Sequence, residues 1–249
     1  MDEHALAEMV LAFGDDEFIL GHRDSEWTGH APILEEDIAF ANIALDELGH
    51  AQLWYGLYQA MTGIEPDRLV YFREADAYRC AQFVELLKGD WAFSMLRQYL
   101  FDAAEAVLLP ALAASTDTRI SEIAAKIRPE EIYHLRHTSN WVKRLGLGTE
   151  ESHRRMQSAL DEMWSYALQL FVPLPHQVEW VEKGVMPDPT KLQREWEQQV
   201  VAFLNASGLV VPTTRIPAAI SRAAHTNYLP ELLTDMQQVA RSEAYGVEW

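Results

Sequence analysis

The chain has 249 residues, 49% of them hydrophobic, and 38 acidic against 20 basic residues leave a formal net charge of −18. That is enough for one large or two small domains. The acidic excess argues against nucleic acid as a partner, since phosphate binding needs clustered Lys and Arg. It serves solubility first and the steering of a basic partner protein second. A single cysteine, Cys80, excludes a disulfide framework within the chain and a Cys-rich zinc site. The acidic start, MDEHALAEMVLAFGDDEF, lacks the basic region of a signal peptide, and no window approaches 18 uninterrupted apolar residues. A cytoplasmic location, with no membrane span, is expected.

Apolar residues recur at helical spacing almost throughout. A helix is predicted over about 3–22, with Val10, Phe13 and Leu20 on one face. The polar loop RDSEWTGHAPILEED, with Pro32 near its end, leads into a helix over about 33–62 that stops at TGIEPD, where Gly63 and Pro66 are stop signals. A weaker helix is expected around 74–87. KGD opens a helix over about 90–115 with a kink expected at Pro110, and STDTR restarts the chain into a helix over about 117–145. Thr149 caps a further helix to about Phe171. VPLPHQ and MPDPT break the chain around a short segment, a helix covers about 190–206, SGLVVPTTRIPAAI is irregular, and a last helix spans about 228–243. No strand alternation of useful length occurs. The expected fold is all-α, a single domain over 1–249 with a four-helix bundle in residues 1–146 and additional C-terminal helices in 147–249.

Two of these helices carry an anomaly. The apolar stripe Phe40, Ile43, Trp54, Leu57, Met61 is interrupted, on its own face, by Glu47 and His50. The stripe Ile120, Ala124, Ile127, Thr138, Trp141, Leu145 is interrupted in the same way by Glu131 and His134. A carboxylate buried without a partner is costly, so something must compensate it. At i and i+3, Glu and His lie on one side of a helix and can ligate a metal together. A third match, Glu150 to His153, falls in the first turn of a helix after GLGT and reads as a solvated helix start.

Upstream carboxylates separate the first two matches from the third. Glu17 stands thirty residues before Glu47, in step with Val10, Phe13 and Leu20, and Asp102 stands twenty-nine before Glu131, in step with Met95 and Leu109. The corresponding positions before Glu150 are Ile120 and Ser121. Two single carboxylates plus two Glu-x-x-His pairs, one group per helix, make the donor set of a four-helix di-metal carboxylate site. Glu17, Glu47, His50, Asp102, Glu131 and His134 are therefore the candidate ligands, for iron or, alternatively, manganese. Glu105, one turn beyond Asp102, is the reserve ligand. Asp15, Asp16 and Asp46 flank ligand positions and could support them, although exposed acids are the commoner case. Asp37 reads as first-turn decoration, and His30 as a loop residue. Tyr99 and Tyr133 read as core aromatics. Trp27, Trp54 and Trp91 are packing residues that could also line a cavity.

The strings EWTGHAPILEEDIAFANIALDELGHAQ, RQYLFDA, YHLRH, WVKRLGLGTEESHRRMQ and AAHTNYLPELLTDMQ resemble the smaller ferritin-like (PaaC-type) subunits of bacterial phenylacetyl-CoA epoxidase, a ring-1,2-phenylacetyl-CoA monooxygenase. The likeness runs over essentially the whole chain. It implies a ferritin-like fold and a place in aerobic phenylacetate degradation. In that complex a larger ferritin-like subunit holds the di-iron centre and uses O2 to epoxidise phenylacetyl-CoA, with electrons from NADPH through a flavin and iron–sulfur reductase. The smaller subunit is its structural and regulatory partner, often with an eroded ligand set. This chain departs by keeping all six candidate positions, and by carrying His225-Thr226-Asn227-Tyr228 where the family often reads His-Thr-Glu-His.

Three roles compete. One is the non-catalytic half of an epoxidase heterodimer, and another an independent O2-activating di-iron oxygenase or oxidase that could meet the aryl-CoA itself. The third, a stand-alone oxidase or peroxidase of the rubrerythrin or manganese-catalase kind, is opposed by the full-length likeness. The subunit role is the expected one, with the larger subunit as partner, the reductase reached through the complex, and the isolated chain open to homodimerisation.

Overall fold

Four long helices set the architecture of the computed structural model, which describes residues 3–243, 245 and 246. They are α1 (Glu3–Ser25), α2 (Leu34–Thr62), α5 (Trp91–Ala113) and α6 (Thr118–Gly146). Between them lie the short α3 (Pro66–Tyr71) and α4 (Gln82–Glu85). After them come α7 (Glu150–Ala167), α8 (Gln177–Glu182), α9 (Pro189–Ala206) and α10 (Tyr228–Gln237). No strand occurs among the described residues. Residues 1, 2, 244 and 247–249, at or near the ends of the expected 1–249 domain, lie outside the described residues.

Local chemistry places the helix ends. The Asp90, Asp117, Thr149 and Asp188 side chains accept the backbone N–H of Phe93, Arg119, Ser152 and Thr190 at the starts of α5, α6, α7 and α9. Gly63 closes α2 at φ +77°, a conformation open to glycine. The helix expected over 74–87 does not form as one piece. It is a 3₁₀ turn at Ala75–Ala77, an extended stretch, and then the four residues of α4. The cause is tertiary: the Arg79 and Ala81 N–H groups donate to the Asp15 and Asp16 carboxylates at 2.7 Å each, so they are not free for a helix. The last helix is likewise shorter than expected, α10 ending at Gln237. α3 begins with Pro66 at its first turn, so the residue that ends one helix opens the next.

α1 and α2 form one antiparallel pair, α5 and α6 a second, and the crossover through α3 and α4 joins them, as in ferritin-like bundles. Inside, the bundle is layered. Val10, Trp54, Leu109, Ile120, Ala124 and Ile127 fill one end. Phe40, Ile43 and Met95 fill the other, under Trp27, Trp91 and Trp141. Trp27 and Trp91 thus belong to an aromatic cluster, their rings 5.0 Å apart and edge to face. The residues between the two apolar ends are polar, and these are the Glu-x-x-His segments. A second apolar core packs α7 and α9 against the outer side of α5, while α10 packs on α3 and the turn at Ala75–Ala77. No described helix is long and apolar enough to cross a membrane.

Candidate metal centre

All six candidate ligands are buried, none more than 2% exposed. They converge as two groups that share Glu47, one of Glu17, Glu47 and His50 and one of Glu47, Asp102, Glu131 and His134, with the potential ligand atoms of each group within 4.8 Å of one another. Close helix approach makes this possible. A Cβ at Gly21 on α1 would meet Ala44 O and Glu47 Cβ at 2.9 Å each, so only glycine lets α1 lie this near the Glu47 turn of α2.

The two imidazoles are held in the same way. His50 Nε2 lies 2.8 Å from a Glu130 oxygen, and His134 Nε2 lies 3.2 Å from an Asp46 oxygen. A carboxylate only accepts, so each Nε2 carries a proton and each Nδ1 faces the cluster. His50 Nδ1 is 3.4 Å from Glu131, 3.6 Å from Glu47 and 3.8 Å from Glu17; His134 Nδ1 is 2.9 Å from Glu131 and 3.5 Å from Glu47. The supports are symmetric. Asp46 precedes Glu47 and holds the histidine of α6, and Glu130 precedes Glu131 and holds the histidine of α2. Such outer carboxylates orient a ligating imidazole and raise its basicity. Asp46 was among the expected supports. Glu130 was missed, and the doubled acids Asp46-Glu47 and Glu130-Glu131 were the signal that could have found it.

Four carboxylates cannot all ionise at such distances unaided. Burial and the nearby Glu47 push Glu17 and Glu131 up, and burial and Glu131 push Asp102 up. Burial opposes ionisation of Glu47 as well, but the neighbouring Glu17, His134 and His50 outweigh it and hold Glu47 well below the usual range. Burial opposes the charge on His50 too, yet the nearby Glu17 and Glu47 carboxyls bring it up to about 12, and His134 is raised in the same manner by Glu131 and Glu47. The cluster thus favours bound positive charge, whether protons on its carboxyls and imidazoles or a cation.

A divalent cation pair fits this demand. Glu17 Oε2, Glu47 Oε2, Glu131 Oε2 and His50 Nδ1 are buried without a hydrogen-bond partner, and all belong to candidate ligands. Carboxylate oxygens with two imidazole nitrogens suit iron or manganese better than a thiolate-seeking metal. One half is partly occupied by a protein donor. Gln98 Nε2 donates to Glu47 Oε1 at 2.6 Å and to Asp102 Oδ1 at 2.8 Å, and Thr138 Oγ1 donates to Asp102 Oδ2 at 2.6 Å. Neither Gln98 nor Thr138 stands out in the sequence as a site residue.

The remaining expectations divide. Glu105 is buried beside the cluster, raised by burial and by Glu131 and Glu47, but Asp102 and not Glu105 joins the ligand groups. Asp15 and Asp16, on α1, are buried but engaged elsewhere: Asp15 takes Arg73 at 2.5 Å, and Asp16 takes both contacts of Arg222 at 2.7 Å. Asp37 accepts from Gly29 N at 2.6 Å and His30 is an exposed loop residue. Tyr99 is core, against Phe203, whereas Tyr133 is 54% exposed and therefore no core aromatic. The third Glu-x-x-His is a helix start, with Glu150 exposed and His153 turned to Gly146 O at 2.8 Å. Trp54, Phe13, Glu17 and Glu105 border a cavity of about 50 Å³, while an open groove of about 260 Å³ between α5 and α6 reaches Glu105 and Glu131 from outside.

Comparison with known sequences agrees with this architecture. Residues 1–249 match the family described as "Phenylacetic acid catabolic protein". A 1,2-phenylacetyl-CoA epoxidase subunit from Escherichia coli (strain K12) is 36% identical over 239 residues, covering 95% of this chain and 96% of that protein.

Proposed function

Because the chain belongs over its whole length to the phenylacetic acid catabolic protein family, we propose that it is the smaller ferritin-like subunit of a multicomponent phenylacetyl-CoA epoxidase in phenylacetate catabolism. Its partner in this reading is a larger ferritin-like subunit that carries the catalytic centre, and a reductase reaches it only through that complex. The observation that carries the reading is the 36% identity to the E. coli epoxidase subunit, which extends past the bundle into the C-terminal helices. The same extent supports a single domain over 1–249.

We propose further that the buried cluster holds two divalent cations, iron in the first instance and manganese as the alternative. Glu17, Glu47 and His50 would hold one ion, and Glu47, Asp102, Glu131 and His134 the other. Two ferrous ions held there would supply the electrons to bind and reduce O2. The chain's own groups set the conditions: Glu130 and Asp46 keep each Nε2 protonated and each Nδ1 inward, and the apolar layers of Trp54 and Phe40 close the two ends of the bundle. The cavity of about 50 Å³ beside Glu17 holds a few water-sized molecules, not an aryl-CoA. A second reading, an oxygenase or oxidase in its own right, is favoured by the completeness of the six-residue set.

Metal analysis of the purified chain, with Glu47→Ala and His50→Ala beside it, tests the site. About two irons per chain, absent from both variants, is the expected result. Co-purification with the larger subunit tests the role. Binding without stoichiometric metal would leave a scaffold and remove the metal assignment, whereas metal without binding would remove the subunit assignment. Turnover by this chain alone, given external electrons, would establish the second reading.

A further inference from the structure

The two halves of the cluster share a donor chemistry but not a hydrogen-bonding state. In the group of Glu17, Glu47 and His50, each residue has a buried ligand atom with no hydrogen-bond partner, namely Glu17 Oε2, Glu47 Oε2 and His50 Nδ1. In the group of Glu47, Asp102, Glu131 and His134, the shared Glu47 aside, only Glu131 Oε2 is left so. Asp102 accepts on both oxygens, from Gln98 Nε2 at 2.8 Å and from Thr138 Oγ1 at 2.6 Å. Glu47 Oε1 accepts from the same Gln98 nitrogen at 2.6 Å, and His134 Nδ1 lies 2.9 Å from Glu131 Oε1.

Gln98 is the group that sets the halves apart. It stands on α5 one turn before Asp102 and is fully buried, although glutamine is mostly a surface residue. An amide nitrogen has two hydrogens to donate, and here both go to candidate ligands on two different helices. A point within reach of two carboxylate oxygens is also where a cation shared by those carboxylates would sit. The amide is neutral, so it joins the two acids without offsetting their charge, whereas a divalent cation does both. Gln98 Oε1 is buried without a hydrogen-bond partner, so no hydrogen bond ties the amide down on its other side. What a cation must displace is therefore confined to the two bonds from Nε2.

We infer that Gln98 is a placeholder for the second cation and makes the two halves of the site unequal. The Glu17, Glu47 and His50 half takes the first ion, because no donor occupies its ligand atoms. The Glu47, Asp102, Glu131 and His134 half takes an ion only when the Gln98 amide withdraws. Between the two binding steps the chain carries a single ion, and any chemistry that needs the pair waits on metal supply.

The inference rests on the metal site proposed above, and one titration tells the two apart. The metal-free full-length chain, Gln98→Met and Gln98→Leu are each titrated with Mn²⁺, with the free ion counted by its electron paramagnetic resonance signal. The wild type should bind a first ion and then a second about tenfold or more weaker, since hydrogen bonds to charged groups must be given up. Either variant, lacking the donor, should tighten the second step about tenfold or more and keep the first within about threefold. The metal-free variants should also melt below the wild type, their Glu47 and Asp102 oxygens having lost a partner, and recover on saturation with Mn²⁺. Two equal steps in the wild type, or a second step unchanged in both variants, overturns the placeholder while leaving the metal site intact. Loss of the first ion in both variants overturns it too, because Gln98 would then build the site and not hold a place in it. No Mn²⁺ bound by any of the three proteins removes the metal site, and the inference with it.

Discussion

At the scale of single residues, the site is governed by which atom of each histidine faces inward. His50 and His134 have opposite positions in the bundle but the same support, a carboxylate on the facing helix that accepts from Nε2. Removing that acceptor frees the ring to turn or to move its proton to Nδ1, the atom that would ligate the proposed metal. Glu130→Ala and Asp46→Ala should each weaken metal binding about 10–100-fold without changing the helix content. Competition of Mn²⁺ against a chelator, read beside circular dichroism, checks this. Unchanged affinity in both would mean the rings are held by packing alone. The sequence showed the six converging residues because they break an apolar stripe. It did not show Glu130, which is exposed and breaks nothing, nor Gln98, whose amide lies between Glu47 and Asp102 only because α2 and α5 meet there.

At the scale of elements, the C-terminal segment is tied to the crossover through one buried carboxylate. Glu85, at the end of α4, receives His225 Nδ1 at 2.6 Å on one oxygen, and Thr226 N and Oγ1 at 2.6 and 2.7 Å on the other. Cys80 lies near it, and burial pushes that thiol well above its usual range. The four contacts close the group and leave it a structural latch for the residues between α9 and α10. Breaking a buried pair from one side strands its partner, which costs about 3 kcal/mol or more. Glu85→Ala should therefore lower the melting temperature and expose residues 212–227 to proteolysis, with cleavage sites read by mass spectrometry. Cleavage no faster than wild type would show that the Asp16–Arg222 pair holds the segment unaided. This latch also explains why 74–87 did not become the helix its composition suggested: its N–H groups and its one buried acid are committed to α1 and to a segment about 140 residues away.

At the scale of the whole molecule, the two helix pairs are joined by a fully buried contact in which Arg97 of α5 donates to the Asp24 carboxyl of α1 at 2.9 Å. Burial pushes the Asp24 carboxyl up to about 7, against the pull of Arg97. The unfolded chain ionises this group near 3.8. Between those values the native state keeps a proton that the unfolded state has released, so this group's contribution to stability falls as pH rises from about 4 to about 7. Denaturant unfolding of the chelated protein at pH 5 and pH 8 should show a loss on the order of 2 kcal/mol that Asp24→Asn does not share. Parallel pH dependence in both proteins would place the loss elsewhere.

Two kinds of information are distinguishable here. A helical period is local, so the sequence alone determined the bundle helices, the faces they bury, and that Glu17, Glu47, His50, Asp102, Glu131 and His134 lie on buried faces. It equally determined that Glu150 and His153 do not. What only the tertiary structure decided depends on residues far apart in the chain: Asp102 rather than Glu105 among the ligand groups, the inward Nδ1 atoms, and the commitment of Asp15 and Asp16 to arginines. Those outcomes follow from side-chain direction and partner choice, which are fixed when helices meet, and no periodicity within one helix records which helix it will meet.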